Sequence, residues 1–216
     1  MAFRIDVVSD VVCPWCFIGK RRLEQTLQLL AADGVEPQAI EVVWRPFQLN
    51  PQLPPEGIPR AQYVASKFGA RAGEIYSPVA AAGRSVGIEF AFDRIVRQPN
   101  TIAGHLLIDL AREEGVQEQM VESLFRGYFL EGEDLTAEPT LLRLAQRAGI
   151  DAEHTRARLE DETQRQAVVA QDQEAREMGV AGVPFFIFAG QLAVSGAQEP
   201  QVLARAFKQA AAEVPA

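Results

Sequence analysis

Four short stretches of the chain have the alternating or β-branched apolar pattern that predicts β-strands. They are residues 3–8, 40–44, 183–188 and 191–194. Ala189 and Gly190 separate the last two stretches, which favours a hairpin. Leu23, Leu27 and Leu30 recur at the spacing of one helical face. The pattern therefore predicts a helix between the first two strands, and a final helix over residues 199–212.

The long middle of the chain, from about residue 60 to 178, has helical periodicity instead. Apolar residues share faces around 102–110, 121–128 and 141–145. Asn100 and Thr101 are typical of a helix start, and Gly179 suits a helix end. A proline-rich loop over residues 47–59 leads into this segment.

The order of these elements predicts the fold. A β-α-β unit prefers a right-handed crossover with two parallel strands. Here it is followed by a helical segment and then by β-β-α. The sequence therefore predicts an α/β protein with the thioredoxin fold. Residues 1–50 and 179–216 are expected to form the thioredoxin-like domain, and residues 51–178 a large all-helical insertion between its βαβ and ββα halves.

Composition and charge narrow the functional classes. The chain has 216 residues, of which 48% are apolar, enough for a substantial core. Its net charge of −8 disfavours a general nucleic-acid binder, which needs a basic surface. No apolar stretch approaches the roughly 18–20 residues of a membrane span, and the N-terminus lacks the apolar segment of a leader. We therefore expect a cytoplasmic protein that binds neither nucleic acid nor membranes.

The two cysteines of the chain, Cys13 and Cys16, point to thiol chemistry. A disulfide this local would stabilise the fold little, and a zinc site needs four ligands. The histidines, His105 and His154, are distant in sequence, so no metal site is predicted. A C-x-x-C motif beside a β-α-β pattern is typical of a redox centre; an inert pair is the competing interpretation.

The motif is expected at the N-terminus of the first helix. Pro14 suits the first helical position, and the positive end of the helix dipole favours a thiolate. Cys13 is predicted to be the exposed nucleophile and Cys16 the buried resolving thiol. Trp15 is expected either to shield Cys13 or to contact a partner. Asp10 is interpreted as a turn residue, with proton transfer as its alternative role.

The sequence resembles the DsbA-like family of thioredoxin-fold oxidoreductases, and within it the FrnE type. The resemblance lies in SDVVCPWCFIGKRRL (9–23), WRPFQLNP (44–51), NTIAGH (100–105), YFLEG (128–132), GVAGVPFF (179–186) and SGAQ (195–198). It implies disulfide oxidoreductase or isomerase activity with Cys13 and Cys16 as the catalytic pair. It also implies that Pro184 is a cis-proline and that backbone at Val183 and Pro184 binds the substrate chain.

The resemblance also bears on partners. The implied partners are thiols and disulfides of proteins or small molecules, with glutathione as a possible co-substrate and no bound cofactor. Some FrnE-like proteins have a second cysteine pair, which this chain lacks, so exchange is expected with an external thiol. A monomer and a homodimer are both compatible with the sequence.

Two other functions stay open at this stage. The same superfamily includes kappa-class glutathione transferases and 2-hydroxychromene-2-carboxylate isomerases, which have a serine in place of Cys13. For that function, Asn50, Asn100 and His105 would line a small-molecule cleft; their competing roles are a turn, a helix cap and a structural histidine. The third function is a chaperone-like peptide binder, whose signal would be exposed aromatic residues such as Phe47, Phe68 and Phe185.

Overall fold

The structure, a computed structural model, describes residues 2–213. Its strands, in chain order, are β1 (Phe3–Ser9), β2 (Ile40–Pro46), β3 (Ile58–Pro59), β4 (Arg97–Gln98), β5 (Phe185–Phe188) and β6 (Leu192–Ser195). Its α-helices are α1 (Pro14–Ala32), α2 (Arg60–Phe68), α3 (Ala72–Ser85), α4 (Ile102–Glu113), α5 (Gln117–Arg126), α6 (Glu138–Arg147), α7 (Ala152–Glu160), α8 (Glu162–Glu177) and α9 (Pro200–Glu213). A π-helical turn over Gly127–Glu131 follows α5.

A four-stranded sheet with the order β2-β1-β5-β6 organises the molecule. Strand β1 runs parallel to β2 and antiparallel to β5, and β5 and β6 form the predicted hairpin. Helix α1 connects the two parallel strands, as a β-α-β crossover does. This βαβ–ββα arrangement is the thioredoxin fold, which confirms the fold that the sequence predicts.

The two faces of the sheet bury alternate residues of β1, because successive side chains of a strand point to opposite faces. Ile5 and Val7 belong to the main core, to which α1 and α9 also contribute. Val8 belongs to a smaller cluster with Ala175 of α8. The sheet is thus covered by helices on both faces, and the carboxyl end of β1 and the amino end of β5 lie at the same edge of the sheet, close to the first turn of α1.

The long segment between β2 and β5 packs directly on α1. Phe17 of α1 is fully buried and stacks on Phe125 with ring centroids 5.1 Å apart. It also meets Phe90 edge-on at 6.2 Å. Residues of this segment and of the sheet therefore belong to one hydrophobic core. Aromatic pairs of this kind add about 0.5–1.5 kcal/mol each to their area burial.

The segment between β2 and β5 is predicted to be all helical, but it also contains two short strands. Strands β3 and β4 pair as a two-residue antiparallel ribbon, too short to leave an alternating pattern in the sequence. The polar stretch over 152–178 forms two helices, because Asp161 accepts hydrogen bonds from the first backbone N–H groups of α8. An N-cap aspartate of this type starts a new helix.

Lys20 of α1 is a buried charged residue. Its side chain is only 3% exposed. The ammonium group lies between the carboxylates of Glu24, Glu118 and Glu122. A lysine is rarely buried unless it is paired, and this cluster joins α1 to α5.

Among residues 2–213, no helix combines the length and the apolar character needed to cross a membrane.

Candidate active site

Both cysteines lie where β1 passes into α1. Cys13 is the N-cap residue with an extended backbone, and Pro14 occupies the start of the helix. The Cys13 N–H donates to the carbonyl of Asp10 at 3.0 Å, and the Cys16 N–H donates to the carbonyl of Cys13 at 3.0 Å. These bonds fix the loop so that the two thiols belong to the same first turn of α1.

The predicted exposure of Cys13 is wrong. Cys13 is 5% exposed, and Cys16 is fully buried. Neither thiol is in a disulfide. Trp15, between them, is 38% exposed. The reason for the burial of Cys13 is its contact with a loop that comes from the other half of the fold, which a local sequence pattern does not reveal.

That loop precedes β5 and contains Val183 and Pro184. The peptide bond between these two residues is cis. The Cys13 thiol donates to the carbonyl of Val183, with 3.5 Å between Sγ and O. The sequence separation is 170 residues, so only the folded chain brings the carbonyl and the thiol together.

Gly19 of α1 allows this close approach, and sequence analysis did not select it. A Cβ atom at Gly19 would lie 2.9 Å from Cγ of Pro184 and 3.3 Å from the ring of Phe186. Real Cβ contacts are essentially never that short. The only signal in the sequence is a glycine inside a helix, where it costs about 1 kcal/mol relative to alanine and usually has a packing reason.

The two thiols occupy different electrostatic environments. Burial raises the pKa of the Cys16 thiol well above its ordinary value, and the neighbouring Cys13 raises that pKa further. The backbone N–H of Asp10 and the hydroxyl of Ser9 lower the pKa of Cys16, but by less. Cys16 is therefore a protonated thiol at neutral pH.

Asp10 lies in this loop, and its side chain is completely buried. Oδ2 accepts a hydrogen bond from the Leu49 N–H at 2.7 Å, whereas Oδ1 has no hydrogen-bond partner in the described part of the chain. Nε2 of His105 lies 3.6 Å from Oδ1. Asp10 is thus a turn residue through its carbonyl, as the sequence suggests, and its buried carboxylate in addition contacts Leu49 and His105.

The three residues considered for a small-molecule cleft lie near the loop that follows β2. Asn100 donates to the carbonyl of Leu53 and accepts from the N–H of Ile102, which holds the start of α4. His105 is buried, with Nε2 3.1 Å from the carbonyl oxygen of Phe47. Asn50 is buried, and its Nδ2 has no partner among the described residues.

The segment from Phe47 to Asn50, at the start of the predicted proline-rich loop, is largely buried. Asp172 of α8 accepts from the Gln48 N–H at 2.9 Å, and Arg176 donates to the Gln48 carbonyl at 2.5 Å. Sequence analysis missed both charged residues, because they lie more than 120 positions away from this segment.

The described residues contain no group of three or more histidine, cysteine, aspartate or glutamate side chains arranged to hold a metal ion. The candidate reactive groups are the thiols of Cys13 and Cys16 at the start of α1.

Comparison with known proteins shows the family of this chain. The model of the DsbA-like thioredoxin domain family matches residues 4–208, and the chain therefore belongs to this family. It is 32% identical to the probable DsbA oxidoreductase SCO1869 of Streptomyces coelicolor, with a TM-score of 0.86 and coverage of 99% of this chain and 92% of that one. It is 28% identical to the uncharacterized protein YwbO of Bacillus subtilis, over 96% of each chain.

More distant structures share the fold. A 2-hydroxychromene-2-carboxylate isomerase is 16% identical with a TM-score of 0.72, covering 97% of each chain. The cytosolic disulfide reductase DsbM of Pseudomonas aeruginosa is 17% identical with a TM-score of 0.66, covering 97% of this chain and 96% of that one; a structure of DsbM with glutathione is similar too. At the level of family, the chain is a thiol-disulfide oxidoreductase.

Proposed function

We propose that Cys13 and Cys16 form a reversible dithiol/disulfide centre that exchanges with disulfides of proteins or small thiols. The observation that carries the proposal is the position of Cys13, one helical turn from Cys16 and 3.5 Å from the carbonyl of Val183. That carbonyl precedes β5; in the free protein it accepts from the Cys13 thiol, and in the substrate complex we propose that it accepts instead from the backbone of an extended substrate. Strand-like binding of this kind gives affinity without much sequence preference.

In this mechanism, the thiolate of Cys13 attacks a substrate disulfide and forms a mixed disulfide. One substrate sulfur leaves as a thiolate. Cys16 then loses its proton and attacks the sulfur of Cys13. The Cys13–Cys16 bond forms, the second substrate sulfur leaves, and the substrate is reduced by two electrons. The reverse sequence of steps oxidises a dithiol substrate.

Glutathione is the external thiol that we propose as co-substrate. The chain has no third cysteine, so the oxidised centre requires a thiol from solution for its reduction. The fold shared with DsbM, whose structure with glutathione is known, supports this choice. A cytoplasmic location and the FrnE type of the family are part of the same proposal.

The other two functions have less support. A glutathione transferase or isomerase of the kappa or 2-hydroxychromene-2-carboxylate isomerase type needs no second thiol, whereas Cys16 lies directly behind Cys13. A chaperone-like binder needs exposed aromatic residues. Phe47 is buried, and Phe68 and Phe185 are partly buried.

The test is an equilibration of the protein in glutathione redox buffers, followed by thiol alkylation and intact-mass analysis. We expect one transition that involves two thiols and two electrons. Cys16→Ser is expected to stop at a mixed disulfide with glutathione on Cys13, and the matched variant Cys13→Ser is expected to form neither product. A wild-type protein whose two thiols never form a disulfide would refute the oxidoreductase function and favour the transferase or isomerase.

A further inference from the structure

One side of strand β2 is an edge of the main sheet. In the order β2-β1-β5-β6, β2 has β1 on one side only. The carboxyl-terminal part of its free side is capped by a side chain of α5. The N–H of Trp44 donates to Oε1 of Gln117 at 3.0 Å, and Nε2 of Gln117 donates to the carbonyl of Trp44 at 3.1 Å. The amide of Gln117 thus binds the backbone of Trp44 as a neighbouring strand would.

Val42, two residues earlier on β2, lies beyond this cap. The backbone groups of every second residue in a strand point to the same side. The N–H and C=O of Val42 therefore point away from β1, as those of Trp44 do. The carbonyl of Ile40 points the same way, whereas the N–H of Ile40 donates to the carbonyl of Pro37. No strand within residues 2–213 pairs with this edge, and free edge groups are a template for a further strand.

A groove of about 450 Å³ runs beside the same edge. Leu23 and Leu27 of α1 and Ile40, Val42 and Trp44 of β2 form its apolar lining. Leu27, Ile40 and Val42 are partly exposed. Because alternate side chains of a strand point to one face, every second side chain of an added strand would enter this groove. Strand addition takes its affinity from main-chain hydrogen bonds and its specificity from such pockets.

The rim of the groove presents negative charge to a partner. Glu24 and Glu118 line the groove, with side chains 37% and 51% exposed. The cation between them, Lys20, is only 3% exposed. A molecule that approaches the groove therefore contacts the carboxylates, while the ammonium group stays covered.

The other face of β2 is acidic at this edge as well. Glu41 is exposed and points to the face opposite Val42. Arg4 lies across from Glu41 on β1, but it binds Asp6 at 2.6 Å. A second copy of this chain would bring the same carboxylates, and a net charge of −8, to the same edge. Like charges on facing strands are destabilising, so the charges favour a basic partner over a second copy.

We propose that the free edge of β2 binds an extended basic segment of a partner protein, which adds to the sheet as a further strand opposite Val42. Its apolar side chains enter the groove, and its lysine or arginine side chains pair with Glu24 and Glu118. Leu23 comes seven residues after Cys16, which is about 10 Å along α1. The edge is thus separate from the dithiol, and its binding of a partner does not depend on the proposed redox function.

The test is isothermal titration calorimetry of the reduced protein with two synthetic peptides at pH 7. The first, acetyl-KVTVKVTK-amide, places three valines and one lysine on one face when it is extended. The second, acetyl-EVTVEVTE-amide, has the same valines and threonines with the opposite charge. We expect one peptide to bind per chain, with the basic peptide at least about tenfold tighter than the acidic one. Raising the ionic strength to about 1 M, where screening acts within about 3 Å, should weaken the basic peptide.

Two proline variants locate the binding edge. Val42→Pro removes an N–H that points away from β1, so the ladder to β1 is kept; proline is tolerated on an edge strand for this reason. It should weaken the basic peptide at least about tenfold. Ala193→Pro on β6 is the matched control at the opposite edge. The N–H of Gly196 donates to the carbonyl of Pro184 at 2.8 Å, so the N–H of Ala193 points away from β5 by the same alternation. Its affinity should equal that of wild type.

A third variant tests the charge of the rim. Glu118→Gln keeps an oxygen that accepts from Nε1 of Trp44, a bond of 2.8 Å in the native protein. It should weaken the basic peptide about threefold, as the loss of one exposed ion pair does.

Several results would overturn the proposal. They are no detectable binding of the basic peptide, equal affinity for the two peptides, and a loss of binding in Ala193→Pro but not in Val42→Pro. If Val42→Pro does not fold, an unchanged affinity in Glu118→Gln would overturn it. A wild-type dimer in sedimentation equilibrium that Val42→Pro dissociates would overturn it too, because the edge would then belong to a second copy of the chain.

Discussion

We expect the loss of the Lys20 ammonium group, which joins α1 to α5, to lower the stability of the protein by a measurable amount. In Lys20→Met the aliphatic stem is retained and the ammonium group is lost. The ammonium lies 2.5 Å from Glu118 and 3.0 Å from Glu122, and it also binds Glu24. Its removal takes one cation from the three carboxylates, of which Glu24 and Glu122 keep their ion pairs with Arg21.

The magnitude follows from the burial of the partners. Lys20 is 3% exposed, whereas the three carboxylate side chains are between 26% and 51% exposed. Breaking a fully buried ion pair costs about 3–5 kcal/mol, and an exposed pair contributes about 0–1 kcal/mol. For this mixed case we expect the free energy of unfolding to fall by about 2 kcal/mol. In a chain of this size that loss lowers Tm by about 4–8 °C.

The assay is urea unfolding at pH 7, followed by circular dichroism. Lys208→Met is the matched control, because Lys208 pairs with Asp33 at 2.7 Å and both side chains are more than half exposed. Its free energy of unfolding should change by less than about 1 kcal/mol. A Lys20→Met protein as stable as wild type, or no less stable than Lys208→Met, would refute the role assigned to the cluster.

The difference in stability between wild type and Lys20→Met is expected to depend on pH. Burial raises the pKa of Glu122, whereas hydrogen bonds and positive charge from Arg21 and Lys20 lower it. The lowering contributions together exceed the effect of burial, so the pKa of Glu122 is below its ordinary value. A carboxyl group whose pKa is lower in the folded state stabilises the protein above its unfolded pKa, near 4.3. That contribution is lost as pH falls through the folded value. The stability difference between wild type and Lys20→Met should therefore shrink as pH falls below about 4.

Three further results are expected. In the reduced protein at pH 7, iodoacetamide should modify Cys13 much faster than Cys16, since burial raises the pKa of Cys16; equal labelling by peptide mapping would contradict this. Gly19→Val should weaken protection of the Cys13 thiol, because its Cβ would clash with Pro184 at 2.9 Å; an unchanged alkylation rate would contradict the contact. Asp151→Ala removes the side-chain cap of α7 and should lower the urea midpoint of unfolding; an unchanged midpoint would contradict it.

The prediction of the fold succeeded where the information is local. The strand patterns, the leucine face of α1 and the C-x-x-C motif each extend over a few turns or residues, and apolar periodicity reports directly on such elements. The predicted hairpin and the start of α4 after Asn100 are confirmed for the same reason. The ribbon of β3 and β4 was not predicted, because each of these strands has only two residues and so shows no alternation of apolar and polar positions.

The site was predicted only in part. The two cysteines and Pro184 are marked by motifs, and their positions at the start of α1 and before β5 follow from the element order. The exposure of Cys13 was predicted wrongly, because a contact with Val183, 170 residues away, has no trace in the local pattern. The burial of Lys20 likewise has no local signal, because its partners Glu118 and Glu122 lie on α5.

By itself, the sequence determined that this protein has a thioredoxin fold with a dithiol at a helix N-terminus. Those features depend on residue types and spacings within single elements, where backbone geometry leaves few alternatives. The tertiary structure alone decided the surroundings of the dithiol. Asp10 faces His105 across 95 positions of chain, and the 47–50 segment becomes buried against α4 and α8. Such contacts arise only when helices and strands pack, and packing sets burial and charge pairing.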